Sequence, residues 1–366
     1  MTLSKFINAI IIITFIGFSL FSILKLSFTG EFFLNYTNGF IRRGLLGEIV
    51  YLVSKNFNIN PHKLSISINI ISKFFLIAII LWIYIKKQVP TLLIFSYPVV
   101  FSGLINSNGR LDFILLLLFI TSFIALKNKK HLIFIIVSLV GVLIHEVYFF
   151  LLIIPLIALF LNSKNNIYLI NLFLLFFVFI SCSFTFKGTL NQANEIQRSW
   201  NLLNFNPEFS YVYRDIISNR NFYIFNIINT KFQVFGFFLN NLLCVLFILL
   251  CGLSNTNNNK YKLFASLILS QNIIFFSLCF VACDYSRWYF LLFTSIIIFY
   301  YFFVETLVLK INLSSFEHKS FTILRKIRKV KYFIYLFIGI PFAGWNFDSY
   351  YHSILIFKIK EIFDYI

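Results

Sequence analysis

Hydrophobic and polar positions alternate along this chain on the scale of whole helices. Runs such as "FINAIIIITFIGFSLFSIL" (6–24) and "IYLINLFLLFFVFISCSF" (167–184) recur, separated by short polar breaks. Each approaches the roughly 20 apolar residues that cross a bilayer. The pattern predicts helical spans at about 6–28, 66–85, 89–105, 111–126, 132–147, 148–161, 167–186, 232–253, 263–282, 288–309 and 332–347. The expected fold class is therefore all-α: a polytopic membrane protein with about 11 transmembrane helices and interfacial or re-entrant outer segments. No internal repeat or soluble domain interrupts the pattern, so residues 1–366 read as a single transmembrane domain. Lys5 followed by an apolar run resembles a signal peptide. No small-residue cleavage site follows it, and the run reads as a retained first helix.

The segment 132–161, "LIFIIVSLVGVLIHEVYFFLLIIPLIALFL", fits this scheme only if it breaks. One continuous helix would be about 45 Å long at about 1.5 Å per residue, too long for a hydrocarbon core near 30 Å. It would also place His145 and Glu146 at mid-membrane, where an ionised carboxylate is costly. Two short helices put the pair at their shared turn, near a membrane face. Charge counting favours the same split. With it, Lys260, Lys262 and the basic loop at about 310–331 fall on the cytoplasmic side with Lys5, as does the N-terminus.

Composition agrees with the pattern. Hydrophobic residues make up 60% of the chain and charged ones 12%, with a mean hydropathy of +0.87. A soluble fold would carry about twice that charge. The net charge of +18 is dispersed over short loops, as cytoplasmic anchoring requires, and no nucleic-acid partner is expected. The five cysteines all lie inside apolar segments and form no disulfide or zinc pattern. Neither a metal nor a cofactor is expected.

Arginine departs from the lysine pattern. Seven of the nine arginines, and nearly every acid, fall on the outer face of the predicted topology. Lysine inside follows from topology; arginine outside does not. The guanidinium fork grips phosphate oxygens in pairs and keeps its proton, so this face is a candidate for anion binding and proton transfer. The first outer loop (29–65) carries Glu31 and "GFIRRGLLGE", with adjacent Arg42 and Arg43 between glycines. Adjacent arginines on a helix point to different faces, so one is expected inward and the other toward headgroups or a carboxylate. The bland alternative is a snorkelling anchor. "LLGEIVYLVSK" reads as an interfacial amphipathic helix.

Three further constellations stand out. In "SNGRLDF" (107–113), Arg110 and Asp112 bracket a polar turn, as a site or as a salt bridge with Asp112 capping a helix. In "LIHEVYF" (143–149), His145 and Glu146 are candidates for a general base; the alternative is a buried pair that closes a helix turn. In "CDYSRWYF" (283–290), Asp284 and Arg287 are spaced to pair, while Trp288 fits an interfacial aromatic belt. The outer loop 187–231 mixes Trp200, tyrosines and amides, which suits sugars, and Arg198, Arg214 and Arg220 in it are candidates for an acceptor or a lipid phosphate.

Taken together, "NGFIRRGLLGE", "NGRLD", "LIHEVYFF" with Pro155, and "DYSRW" resemble patterns in bacterial O-antigen and capsular polysaccharide repeat-unit polymerases, multi-span glycosyltransferase-like membrane proteins. The resemblance covers roughly 30–290. It implies undecaprenyl-pyrophosphate-linked glycans polymerised at the outer face of the bacterial inner membrane, with a chain-length regulator and a flippase as partners. The residue reading runs parallel. Arg42, Arg43, Arg110 and Arg287 would grip pyrophosphate; Glu31, Arg198 and Arg214 would bind substrate; Glu146 or His145 would take the hydroxyl proton; Asp112 and Asp284 would orient. Two alternatives stay open: a polyprenyl-phosphate-sugar-dependent glycosyltransferase, and a lipid-linked oligosaccharide flippase or transporter.

Overall fold

A computed structural model describes residues 30–87, 110–186 and 188–207, with positions 269–271, 273, 274, 288, 290–292, 294, 295, 298 and 299. The expected spans 6–28, 89–105, 232–253 and 332–347, the basic loop 310–331, and Arg214, Arg220, Asp284 and Arg287 lie outside these residues, as does the side chain of Glu31. The described part is helical, and no strand occurs among the described residues.

After a 3-10 turn, Gly30–Phe33, the chain forms α1 (Gly44–Phe57) and α2 (Pro61–Lys87). There follow α3 (Asp112–Lys127), α4 (His131–Ile144), α5 (Val147–Ser163), α6 (Ile167–Ile180) and α7 (Leu190–Asn201). Two helical stretches, Pro61–Trp82 and Ile167–Thr185, are long and apolar enough to cross a membrane. At 1.5 Å per residue they measure about 33 and 28 Å. Each carries exposed apolar side chains. Phe74 is 61% exposed on α2, and Phe173 and Phe177 are 71% and 73% exposed on α6. The helices α4 and α5 are apolar but shorter.

Local chemistry explains the boundaries. The Asn60 side chain accepts from the amides of His62 and Lys63 (2.9 and 3.2 Å), and Pro61 takes the first helical position, where its missing N–H costs nothing. α2 therefore begins five residues before the expected span. A tight turn at 128–130 folds α3 back along α4, burying Phe119, Phe123 and Phe134 in the core. At one level of this hairpin Ser122 meets Ser138 (3.5 Å) and the phenol of Tyr148 (2.8 Å).

The break expected in 132–161 is present. α4 stops at Ile144, His145 is extended (φ −161°, ψ 127°), and α5 starts at Val147. Tyr148 folds back onto Gly141, where a Cβ would lie 2.4 Å from its ring. The His-Glu pair thus occupies the turn between the helices.

α7 was expected to be loop. It is a helix because Thr189 and Gln192 form a reciprocal capping box, each side chain serving the other's backbone amide. Ala193, Ile196 and Trp200 make up its buried face. The Trp200 indole donates to Phe33 O (2.8 Å), and its ring packs edge-on against Phe33 and Tyr51. Asn35 reaches Ser199 (2.8 Å), and Gln192 reaches Asn38 O (3.1 Å). α7 therefore braces the 33–43 segment that leads into the paired arginines.

Candidate functional site

The 34–43 segment is a built structure. The Asn35 side-chain oxygen accepts from the backbone and hydroxyl of Thr37 (3.2 and 2.6 Å). The Tyr36 amide donates to the Glu48 carboxylate (2.7 Å), which assigns that acid to holding the loop on α1. Gly47 allows Leu34 to cross α1 at backbone contact, since a Cβ there would lie 1.9 Å from Leu34 O. At the far end the Arg42 amide donates to Phe186 O (2.8 Å), tying the loop to the end of α6. There α6 loosens into a π-turn over Ser181–Thr185.

These ties deliver Arg42 and Arg43 to one carboxylate. Arg43 Nε donates to Glu146 Oε2 (2.8 Å) and Nη2 to Oε1 (2.7 Å), a bidentate fork between residues 103 positions apart. Arg42 Nη1 approaches Oε1 of the same group (3.7 Å). The side chains of Arg42, Arg43 and Glu146 retain only 14%, 18% and 13% exposure. Both arginines thus turn to the same acid, which corrects the expectation that they diverge. The helix-face argument fails because Arg43 precedes the helix. It is the N-cap of α1 and sits in the left-handed region (φ 62°, ψ 7°). A non-glycine residue pays about 1–2 kcal/mol for that backbone. Here the fork to Glu146 offsets the cost.

Glu146 responds to opposing influences. Burial pushes its carboxyl up, but the charge of Arg43 and its hydrogen bonds, with the charge of Arg42, outweigh it. The carboxylate is held well below its ordinary 4.5. His145 is buried, with its ring edge-on to Trp288 (6.4 Å between centroids). Its Nδ1 lies 3.6 Å from Glu146 Oε2 and accepts the Val147 amide (3.1 Å). The imidazole therefore caps α5, and its neutral form carries the ring hydrogen on Nε2. From the end of α6, Cys182 and Tyr36 border the same region. The Cys182 thiol interacts with Glu146, and the Tyr36 phenol, raised above its ordinary range by burial, interacts with Cys182 and Glu48.

The remaining expected residues divide. Arg110 and Asp112 lie at the start of α3, both buried. Asp112 is the first helical residue rather than the cap, a place where its charge complements the helix dipole. Because α3 and α4 are antiparallel, this pair sits at the same end of the hairpin as His145 and Glu146. Arg198 goes elsewhere. It lies on the exposed face of α7, 73% accessible and ion-paired with Glu195 one turn away, so α7 does not bring it to Glu146.

Lys73 stood out to no charge count, because it lies inside an apolar run. It is fully buried, 5.7 Å from the Phe113 ring centroid. On the same face of α2, Asn69 donates to Arg110 O (3.0 Å). The legible signal was spacing: Ser65, Asn69, Ser72 and Lys73 form one buried polar stripe inside an apolar helix.

Chemically, the site offers two adjacent guanidinium groups on an anchored loop, facing a carboxylate and a histidine at a helix break. Compared with protein-family models, curated proteins and solved structures, the chain matches none.

Proposed function

We propose that this chain is a polytopic enzyme of the bacterial inner membrane that polymerises undecaprenyl-pyrophosphate-linked oligosaccharide repeat units at the outer face. In this reading it serves lipopolysaccharide or capsule synthesis. The observation that carries the proposal is the Arg42–Arg43–Glu146 cluster, assembled from distant segments at the α4–α5 break. A growing glycan on its lipid pyrophosphate is the donor, and a terminal hydroxyl of another lipid-linked unit is the acceptor. The acceptor oxygen forms a bond to the anomeric carbon as the bond from that carbon to the phosphate oxygen breaks. The electron pair leaves with the pyrophosphate, and the hydroxyl proton passes to Glu146, or to His145 once its Nδ1 releases the Val147 amide. Arg42 and Arg43 stabilise the charge that grows on the leaving group, a contribution worth about 10²–10³ in rate for a single well-placed donor. Arg110, Arg287, Asp112 and Asp284 keep the supporting roles given them above, and Glu31 and Arg214 those of substrate contacts. Arg198, expected among the substrate contacts, is exposed on α7 and paired with Glu195, and this reading leaves it out of the site.

The test is the state of lipid-linked glycan in cells that carry the gene. Replacing Arg43 or Glu146 with Ala should abolish long chains while single repeats accumulate on lipid outside the inner membrane. Accumulation inside would favour the flippase reading. Loss of one monosaccharide from every repeat would favour the polyprenyl-phosphate-sugar transferase. Normal chain length in inserted variants would refute the assignment.

A further inference from the structure

This inference rests on the reading above and concerns how one site can both grip a diphosphate and accept a proton. The bidentate fork leaves Arg43 engaged with Glu146, and it makes Glu146 a poor proton acceptor in that state. His145 spends Nδ1 on the Val147 amide. Each group proposed for catalysis is therefore committed to a structural partner.

We propose that a phosphate-bearing ligand exchanges with Glu146 for the Arg43 guanidinium, and that this exchange converts Glu146 into the proton acceptor. Three features of the geometry argue for it. A carboxylate and a phosphate offer the same pair of oxygens to a guanidinium fork, so the partners are interchangeable without a new binding mode. A diphosphate carries more negative charge than the single carboxylate it displaces. Finally, Arg42 already stands at 3.7 Å on the adjacent residue, placed to share the incoming ligand.

What remains around Glu146 after the exchange favours its protonated form. The carboxyl lies at the α4–α5 turn with only 13% exposure. The groups that face it are Arg42 and Arg43 from the loop, neighbouring His145, and Cys182 from the end of α6. With the Arg43 charge drawn to phosphate, burial loses its main opponent. The base is thus created where and when the leaving group is bound. In the transfer step the acceptor hydroxyl gives its proton to Glu146 as the glycosidic bond forms. The electron pair of the broken carbon–oxygen bond leaves on the lipid pyrophosphate, still held by Arg43.

The experiment uses the full-length protein in lipid nanodiscs with inorganic pyrophosphate as the probe. Infrared difference spectra follow the protonated-carboxyl band that Glu146→Gln removes, across pH, while calorimetry reports binding. The expected result is a midpoint raised by at least about one unit when pyrophosphate is saturating, a tenfold gain in proton affinity. Arg43→Gly, which removes the guanidinium permanently, should raise the midpoint with no probe present. The proposal is overturned if pyrophosphate binds and the midpoint stays put, or if pyrophosphate does not bind. It is equally overturned if Glu146 in Arg43→Gly titrates as in the parent. These outcomes are separable from the polymerase reading. Arg43→Gly cells that still make long chains would refute that reading whatever the spectra show. A static Glu146 in a protein whose chains depend on Arg43 would remove only the exchange.

Discussion

Position 43 separates the work of a side chain from the work of a backbone. Arg43 contributes a two-bond fork to Glu146 from a left-handed backbone. Replacement by Ala removes the fork and keeps the strain; replacement by Gly removes both. Charge-assisted hydrogen bonds contribute about 1.5–3 kcal/mol each, and breaking a buried ion pair costs about 3–5 kcal/mol. Arg42 at 3.7 Å offers the stranded carboxylate partial compensation, and both partners keep some exposure, so the loss belongs near the lower figure. Glycine then recovers about 1 kcal/mol of the left-handed penalty. Detergent-induced unfolding of the purified variants should place Arg43→Ala about 3 kcal/mol below the parent and Arg43→Gly about 1 kcal/mol above Arg43→Ala. Arg43→Lys keeps the charge but only one bonding direction, and should fall between the parent and Arg43→Gly. Polymer formation should respond differently. Both Ala and Gly should lose about 100-fold or more in rate, because neither has a guanidinium. If activity followed stability, with Gly recovering in step, the arginine would be a loop-former and the anion-binding argument would fail.

Further predictions address the surroundings. Glu146 is held below its ordinary range in the folded protein, so its ion pairs contribute stability above about 4.5 that is lost as pH falls through the lower folded value. Unfolding measured without ligand should show a constant parent advantage over Glu146→Gln from pH 8 to 5, shrinking only at more acidic pH. An advantage already lost near neutrality would contradict the pairing. Gly47→Ala forces a Cβ against Leu34 O and should cost about 1–3 kcal/mol or more, read by the same unfolding assay. Trp200→Ala removes the α7 brace and should cost about 3–5 kcal/mol, with easier proteolysis of the 34–43 loop. Arg198→Ala, on an exposed i,i+3 pair, should shift stability by less than about 0.5 kcal/mol and leave chain length unchanged. A loss of chain length there would restore Arg198 to the site.

Part of this arrangement was readable in the residues. The break at His145–Glu146 follows from helix length and the cost of charge in an apolar run, and the chain breaks there. The location of Arg42 and Arg43 in a glycine-flanked loop was likewise visible. Their shared partner was not, because nothing local distinguishes Glu146 from Glu48 as the acid for Arg43. Backbone crossings at Gly47 and Phe186 decide it. The helix-face argument for the two arginines assumed right-handed backbone, and the left-handed Arg43 defeats it. The signal for α7 is the capping-box spacing of Thr189 and Gln192, which sits inside a polar segment with no apolar run to mark a helix. Lys73 is hidden in an averaged hydropathy, which absorbs a single charge; its signal is the helical spacing of Ser65, Asn69, Ser72 and Lys73.

Reconstitution with purified components tests the central claim most directly. The full chain in nanodiscs would receive undecaprenyl-pyrophosphate-linked repeat units, with chain growth followed on gels and released lipid pyrophosphate measured in parallel. The account predicts stepwise elongation, one lipid pyrophosphate released per repeat added, and a loss of about 100-fold or more in Arg43→Gly. A folded protein that leaves its matched repeat units unjoined, or an Arg43→Gly variant that elongates them at the parental rate, would contradict it.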